Sequence, residues 1–447
     1  MRRKAFLGLV VVAGLFALAP PDAHAKPKPD DGPDIVTAWN AIATSTLVQL
    51  PPAASGAPPA LQINMAMTQG AVYDAVNAIT PSHYRPYLLT RRFSARASRE
   101  AAVSTAAYQV LSDIIETVPP SIAFPNRAAL LQSLAAQYEL TVSALPDTPF
   151  TRQGIAAGNA AADAMISARR DDGRFGPSQW EPNGAPGHWQ PLLPNGTSPL
   201  DPTAWVGGVD PFLLQSSSQF RTAGPPALTS AAYAADFNEV KALGGDGVTT
   251  PSTRTPTQTH NAVFWQSAGG PALLWNGSAR GLVNDPRRGV DALDAARLFA
   301  MMNLSAADAA INCWNDKYHF DFWRPWQAIR QAELDDNPAT EAVSNWTPLL
   351  TAPYPDHVSG HLCLDGAHLH ALQLFFGTDD MRFAVTSSQF PGETRFFDQF
   401  SQPLNEITDA RVWAGLHFRT ADVQGRELGV NVADYMAGKY FQPVGNH

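Results

Sequence analysis

Seven residues have the types and spacing to hold a tetrahedral oxyanion. Lys317 and Arg324 lie in KYHFDFWRP (317–325), Ser359, Gly360 and His361 in SGH (359–361), and Arg411 and His417 in ARVWAGLH (410–417). An anion with two or three charges needs cations and directed donors. Lys317, Arg324 and Arg411 supply the charge, and each guanidinium can bind two oxygens at once. The Ser359 hydroxyl and the Gly360 N–H add neutral donors. A helix is predicted to start at Ser359, run through Leu364, Leu369 and Leu372 to Phe376, and stop at Gly377. Its first turn presents free N–H groups and the positive end of the dipole to an anion.

The elements that carry these residues read as helical. A helical stretch opens at Asp291, restarts at a capping-box-like Ser305–Asp308 pair, and runs through Lys317 to about Trp323. Pro325 disfavours helical geometry at Arg324. Lys317 and Arg324 are seven residues apart, close to two turns, which predicts that they point to nearly the same side. Arg411 and His417 are predicted near a helix end. Upstream, Val103, Ala107, Val110, Leu111, Ile114, Ile115 and Val118 recur at helical steps until Pro119-Pro120, and Leu131, Leu134, Ala135 and Tyr138 repeat the pattern. Residues 63–79 look helical. Residues 151–170, rich in Ala and Gly, suit a helix packed closely on a neighbour. No run of alternating strands and no internal repeat stands out, so the fold class is all-α. Residues 171–228 differ: they are crowded with Pro and Gly and hold Trp180, Trp189 and Trp205. Linkers rarely carry three tryptophans, so an ordered excursion is expected, wrapping the helical body and rimming the site.

The 447 residues suffice for a large buried core. A net charge of −9 argues against nucleic acid as a partner, so an anion site must be built locally against the overall field. Arg2, Arg3 and Lys4, the apolar run 5–18 and Ala23-His24-Ala25 read as a signal peptide cleaved near Ala25. Export to the periplasm or outside the cell is therefore expected, with no membrane span in the mature chain. Two cysteines, Cys313 and Cys363, exclude a disulfide-dense scaffold and a four-cysteine zinc site. Cys313 lies one helical turn before Lys317, and Cys363 two residues after His361. They are predicted to meet behind the anion site as a disulfide or a close thiol pair. His357 and His361 share the i, i+4 spacing of zinc helices, but no Glu sits between them and the helix begins between them. His368 and His370 read as packing or surface residues, and Trp314, Trp323 and Trp326 as core rather than a substrate platform.

Taken together and in order, the three segments resemble the signature motifs of the type 2 phosphatidic acid phosphatase superfamily, and the chain resembles its vanadium-dependent haloperoxidase branch. The first motif is intact. Val358 stands where the second usually has Pro, and Ala410 where the third usually has Ser. An Asp often follows the motif-three His by four residues; here Ala421 is at that place and Asp422 is next, which leaves open which acid orients His417. The segments AWNAIA and AVYDAVNAI also look like bacterial members. The resemblance implies a large helical bundle, with residues 26–447 as one haloperoxidase/acid-phosphatase-like domain and a motif core at 317–424. It implies a vanadate cofactor held by Lys317, Arg324, Ser359, Gly360, Arg411 and His417, with His417 as the vanadium ligand. It makes His361 the acid/base group, Lys317 the residue that polarises peroxide, and places Tyr354 where halide-influencing residues occur. The implied activity is oxidation of halide by hydrogen peroxide to hypohalous acid, which a small organic acceptor consumes. The alternative is hydrolysis of phosphate monoesters at the same site, through a phosphohistidine at His417 with His361 protonating the leaving group. Lipid phosphatases of the superfamily usually have several membrane spans, and their absence here favours the first reading.

Overall fold

Local chemistry sets where the helices start. The computed structural model describes residues 32–81, 84–177, 180–193, 196–197 and 200–445; the expected signal segment 1–25 lies outside them. The first helices are α1 (Asp34–Leu47), α2 (Pro58–Ile79), α3 (Arg99–Glu116), α4 (Arg127–Ser143) and α5 (Pro149–Ala168). Ser98 and Thr148 cap α3 and α5 by accepting the N–H of Ala101 and Thr151. Then come α6 (Ala231–Leu243), α7 (Pro256–Phe264), α8 (Gly270–Val283), α9 (Ala292–Phe320) and α10 (Pro325–Arg330). Thr255 and Gln258 form a capping box on α7. The chain closes with α11 (Gly360–Phe376), α12 (Ser401–Trp413) and α13 (Arg419–Lys439).

Two long helices form the centre. Every residue of α2 from Pro59 to Ile79 is buried, and α9 is buried along most of its 29 residues. Helices buried on every side need partners on every side. The two pack on each other; α3 and α5 cover α2, while α11 and α13 cover α9. The Ala- and Gly-rich α5 lies close against α3, as its composition predicts. Small residues set the α11–α13 distance in the same way. A Cβ on Gly429 of α13 would collide with the carbonyl of Cys363 on α11.

Three expectations change. There is no restart at Ser305, because α9 is continuous from its cap at Asp291. The Asp308 carboxylate caps nothing in its own helix: it accepts the N–H groups of Phe212, Leu213 and Leu214 at 2.6, 2.7 and 2.8 Å. The α9 helix also stops at Phe320, with Asp321 in the left-handed region (φ 51°), so Arg324 does not share a helical face with Lys317. The third change is a hairpin. Besides the two-residue ladder β1 (Leu192–Leu193) and β2 (Gly196–Thr197), strands β3 (Asp380–Thr386) and β4 (Thr394–Gln399) pair antiparallel with Phe383 opposite Phe397. Phe383, Val385 and Phe397 face inward. The period-two signal was present in MRFAVT but spans only one short strand.

The 171–228 excursion is fixed to α9 by side chains that catch its backbone. Asp308 holds 212–214, Asn312 accepts from the Phe220 N–H, and Asp316 accepts from the Thr222 N–H. These residues repeat every four positions and so line one face of α9. Trp189 and Trp205 are buried, and the Asp321 carboxylate accepts from the Trp180 indole at 2.7 Å. No described helix is long and apolar enough to cross a membrane.

Candidate active site

The last turn of α9 delivers Lys317. Its side chain is fully buried, and Nζ donates to the carbonyls of Pro355 and Asp356 at 3.0 and 3.1 Å. Burial pushes its pKa down to about 8, helped by the neighbouring Arg324 charge. Arg324 follows α9 and caps α10 in an extended conformation (φ −79°, ψ 156°), as the following proline requires. Its Nε donates to the Tyr354 carbonyl and its Nη1 to the Leu416 carbonyl, both at 2.7 Å. Nη1 also lies 3.3 Å from Nε2 of His417.

The start of α11 delivers Ser359, Gly360 and His361. Ser359 is the N-cap residue, yet its hydroxyl makes no capping bond. Only glycine fits at 360: a Cβ there would lie 2.9 Å from the Trp314 ring. With Val358 in place of proline, the helix entry is held from outside, by the Ser359 N–H donating to the Ala421 carbonyl at 3.0 Å. The last turn of α12 delivers Arg411, whose Nη1 donates to Gln266 Oε1 at 3.0 Å. The chain then turns at Gly415 and places His417 between α12 and α13. His417 Nδ1 lies 2.8 Å from Asp356 Oδ1.

Burial dominates the electrostatics. It pushes both His361 and His417 well below the usual imidazole range. Arg411 adds to the effect at His361, and Arg324, Lys317 and Arg411 add to it at His417. Both rings are therefore neutral. Burial raises Asp356 to about 7 against the pull of Arg324 and Lys317. It also pushes Asp422 well up, against the pull of Ser359 and Arg411.

Among the seven motif residues four polar atoms are buried without a hydrogen-bond partner, Arg324 Nη2, Ser359 Oγ, His361 Nε2 and Arg411 Nε, and Asp356 Oδ2 and both Asp422 oxygens are unpartnered too. Such atoms are expensive unless something meets them. With three buried cations beside them, a compact oxyanion has the charge and the acceptors to do so. Vanadate or phosphate fits this donor set.

The structure brings together all seven residues singled out by the motifs. Tyr354 joins them, its ring centroid 5.0 Å from both Lys317 Nζ and Arg324 Cζ and 5.4 Å from the Trp314 ring. The excursion reaches the same place, because Asp201 accepts from Trp314 Nε1 and the Tyr318 hydroxyl at 2.9 and 2.8 Å. His368 and His370 stay apart, bonded to the Leu364 carbonyl and to Asp434. His357 bonds to Thr222 at 2.9 Å. Cys313 and Cys363 form no disulfide; both are buried free thiols, and they meet as hydrogen-bonded neighbours. Sequence reasoning missed Asp356 and Gln266. Neither belongs to a motif, and Gln266 lies 145 residues from the arginine it holds.

Comparison with known proteins gives the same picture. A family model for the second helical-bundle domain of vanadium chloroperoxidase (VCPO) matches residues 297–446, which contain the whole motif core. The vanadium chloroperoxidase of Curvularia inaequalis is 27% identical over 199 residues, 37% of this chain. The match spans about a third (32%) of that enzyme's length. A bacterial vanadium-dependent iodoperoxidase structure has a TM-score of 0.73 at 21% identity, covering 94% of this chain and 100% of the other. A holo-type bacterial vanadium-dependent chloroperoxidase has 0.65 at 16%, covering 93% and 96%. These two likenesses establish the fold. The motif-bearing bundle is thus similar in sequence to the second helical-bundle domain of vanadium chloroperoxidase, and the fold is that of bacterial vanadium-dependent haloperoxidases along nearly the whole chain.

Proposed function

We propose that the protein is a vanadate-dependent haloperoxidase, in which hydrogen peroxide, halide and a proton give hypohalous acid and water. The observation that carries this reading is the set of four unpartnered buried polar atoms among three buried cations and a neutral His417. Lys317, Arg324, Arg411, Ser359 and the Gly360 N–H would hold the oxygens of vanadate, and His417 Nε2 would bind its vanadium. Bound vanadate would supply the Lewis acidity that makes peroxide electrophilic towards halide.

The chain's own groups do the rest. His361 is neutral and its Nε2 has no partner, so it is ready to take a proton from peroxide and to return it to the departing oxygen. Lys317, anchored on two carbonyls, keeps a positive charge where negative charge builds on the peroxide oxygens. Trp314 and Tyr354 wall the Lys317 side. The hypohalous acid then halogenates a small organic acceptor.

The test is halogenation of a dye by peroxide with bromide or iodide, with and without added vanadate. Halogenation only with vanadate is the expected result. Hydrolysis of phosphate monoesters with no vanadate-dependent halogenation would replace this reading with the phosphatase one.

A further inference from the structure

Three consecutive residues between the first two motifs hold three separate groups of the site. The Tyr354 carbonyl accepts from Arg324 Nε, and the Pro355 and Asp356 carbonyls accept from Lys317 Nζ. The Asp356 carboxylate meets His417 Nδ1 at 2.8 Å. The turn is itself fixed, since the Asp356 N–H donates to the Phe322 carbonyl at 2.9 Å. Asp356 is fully buried, so this geometry is not shared with water.

A neutral imidazole has one N–H and one lone pair, and the partner of one nitrogen decides which is which. The Arg324 guanidinium can only donate, so Nε2, 3.3 Å from its Nη1, is the accepting nitrogen, and the proton belongs on Nδ1, facing Asp356. The lone pair then lies on Nε2, the nitrogen that faces Arg324. We propose that Asp356 is the positioning residue of His417: it fixes the Nδ1–H tautomer and the ring angle, and so presents the Nε2 lone pair to vanadium. The acid just after motif three does not serve this purpose. Asp422 faces Ser359 and Arg411 instead and makes no hydrogen bond to His417. The proposal rests on the haloperoxidase reading for the identity of the ligand, but the tautomer follows from the geometry alone.

The two anions that fit the pocket separate this role from a merely structural one. Vanadium accepts a nitrogen lone pair, whereas resting phosphate uses only the cations and donors around its oxygens. Orthovanadate and orthophosphate binding would be measured by calorimetry on the full chain and on Asp356→Ala and Asp356→Asn. Nitrogen NMR of labelled histidines would read the His417 tautomer without ligand. Asp356→Ala is expected to weaken vanadate about 10–100-fold, the usual cost of losing such an outer partner, while phosphate stays the same or tightens as the pocket gains net positive charge. Asp356→Asn keeps an oxygen acceptor and should fall between. Wild-type His417 should report Nδ1–H, and Asp356→Ala should lose that preference.

The proposal is overturned if wild-type His417 carries its proton on Nε2, or if Asp356→Ala binds vanadate as tightly as wild type. It is also overturned if both anions weaken equally, because Asp356 would then act on the pocket as a whole. A wild type that binds phosphate but not vanadate would instead end the haloperoxidase reading, and the NMR result would still decide the tautomer.

Discussion

His417 and His361 are both neutral and buried, yet their surroundings give them different work. His417 is held at Nδ1 by Asp356 and faces Arg324 with Nε2, whereas His361 Nε2 has no partner. His417→Ala should therefore abolish tight vanadate binding, while His361→Ala should keep binding and lose turnover. Vanadate affinity and halogenation rate measured side by side check the split; tight vanadate binding by His417→Ala would refute it. Lys317 adds a pH dependence. With its pKa pushed down to about 8, the lysine is charged below that pH and neutral above it. Phosphate affinity of the ligand-free protein should fall as pH rises through about 8, by up to about tenfold per unit. Lys317→Ala should flatten that fall, as calorimetry across pH 7–10 would show. The three motifs were legible at this scale because each uses residue types that anion chemistry demands. Asp356 and Gln266 were not, because only tertiary contacts bring them to the site.

At the scale of elements, the site depends on how the excursion is tied to α9. Asp308, Asn312 and Asp316 hold it by its backbone, and Asp201 returns the contact through Trp314 and Tyr318. Asp308→Ala strips three buried N–H groups of their acceptor. At about 1 kcal/mol or more for each, the change should cost at least about 3 kcal/mol. Urea unfolding measures the loss, and limited proteolysis should cut first near residues 212–222. An unchanged midpoint would mean that the excursion is held elsewhere. The helices α3 and α4 could be read from period, α2 and α5 from composition, and α11 from its stop at Gly377, whereas α6, α7, α8 and α13 were not read. The false restart at Ser305 shows the limit of that reading. Ser and Asp at capping spacing look alike whether they close a helix end or reach sideways from its middle. Likewise, two turns of separation put Lys317 and Arg324 on one side only if the helix continues, and Asp321 ends it.

For the molecule as a whole, a chain of net charge −9 concentrates three buried cations, Lys317, Arg324 and Arg411, in one pocket. No covalent cross-link helps: packing and buried carboxylates hold the described fold together. Thiol titration should therefore find no reactive thiol in the native protein and two after unfolding without reductant. Absence of both thiols in the unfolded, unreduced chain would mean that a bridge forms.

The most direct test of the central claim is the halogenation rate of the vanadate-free protein as orthovanadate is added, at fixed peroxide and halide. The account predicts no rate at the start, a rise that saturates at one vanadate for each chain, and reversal by excess phosphate competing for the same donors. A halogenation rate that ignores vanadate, or none at saturating vanadate, would contradict it.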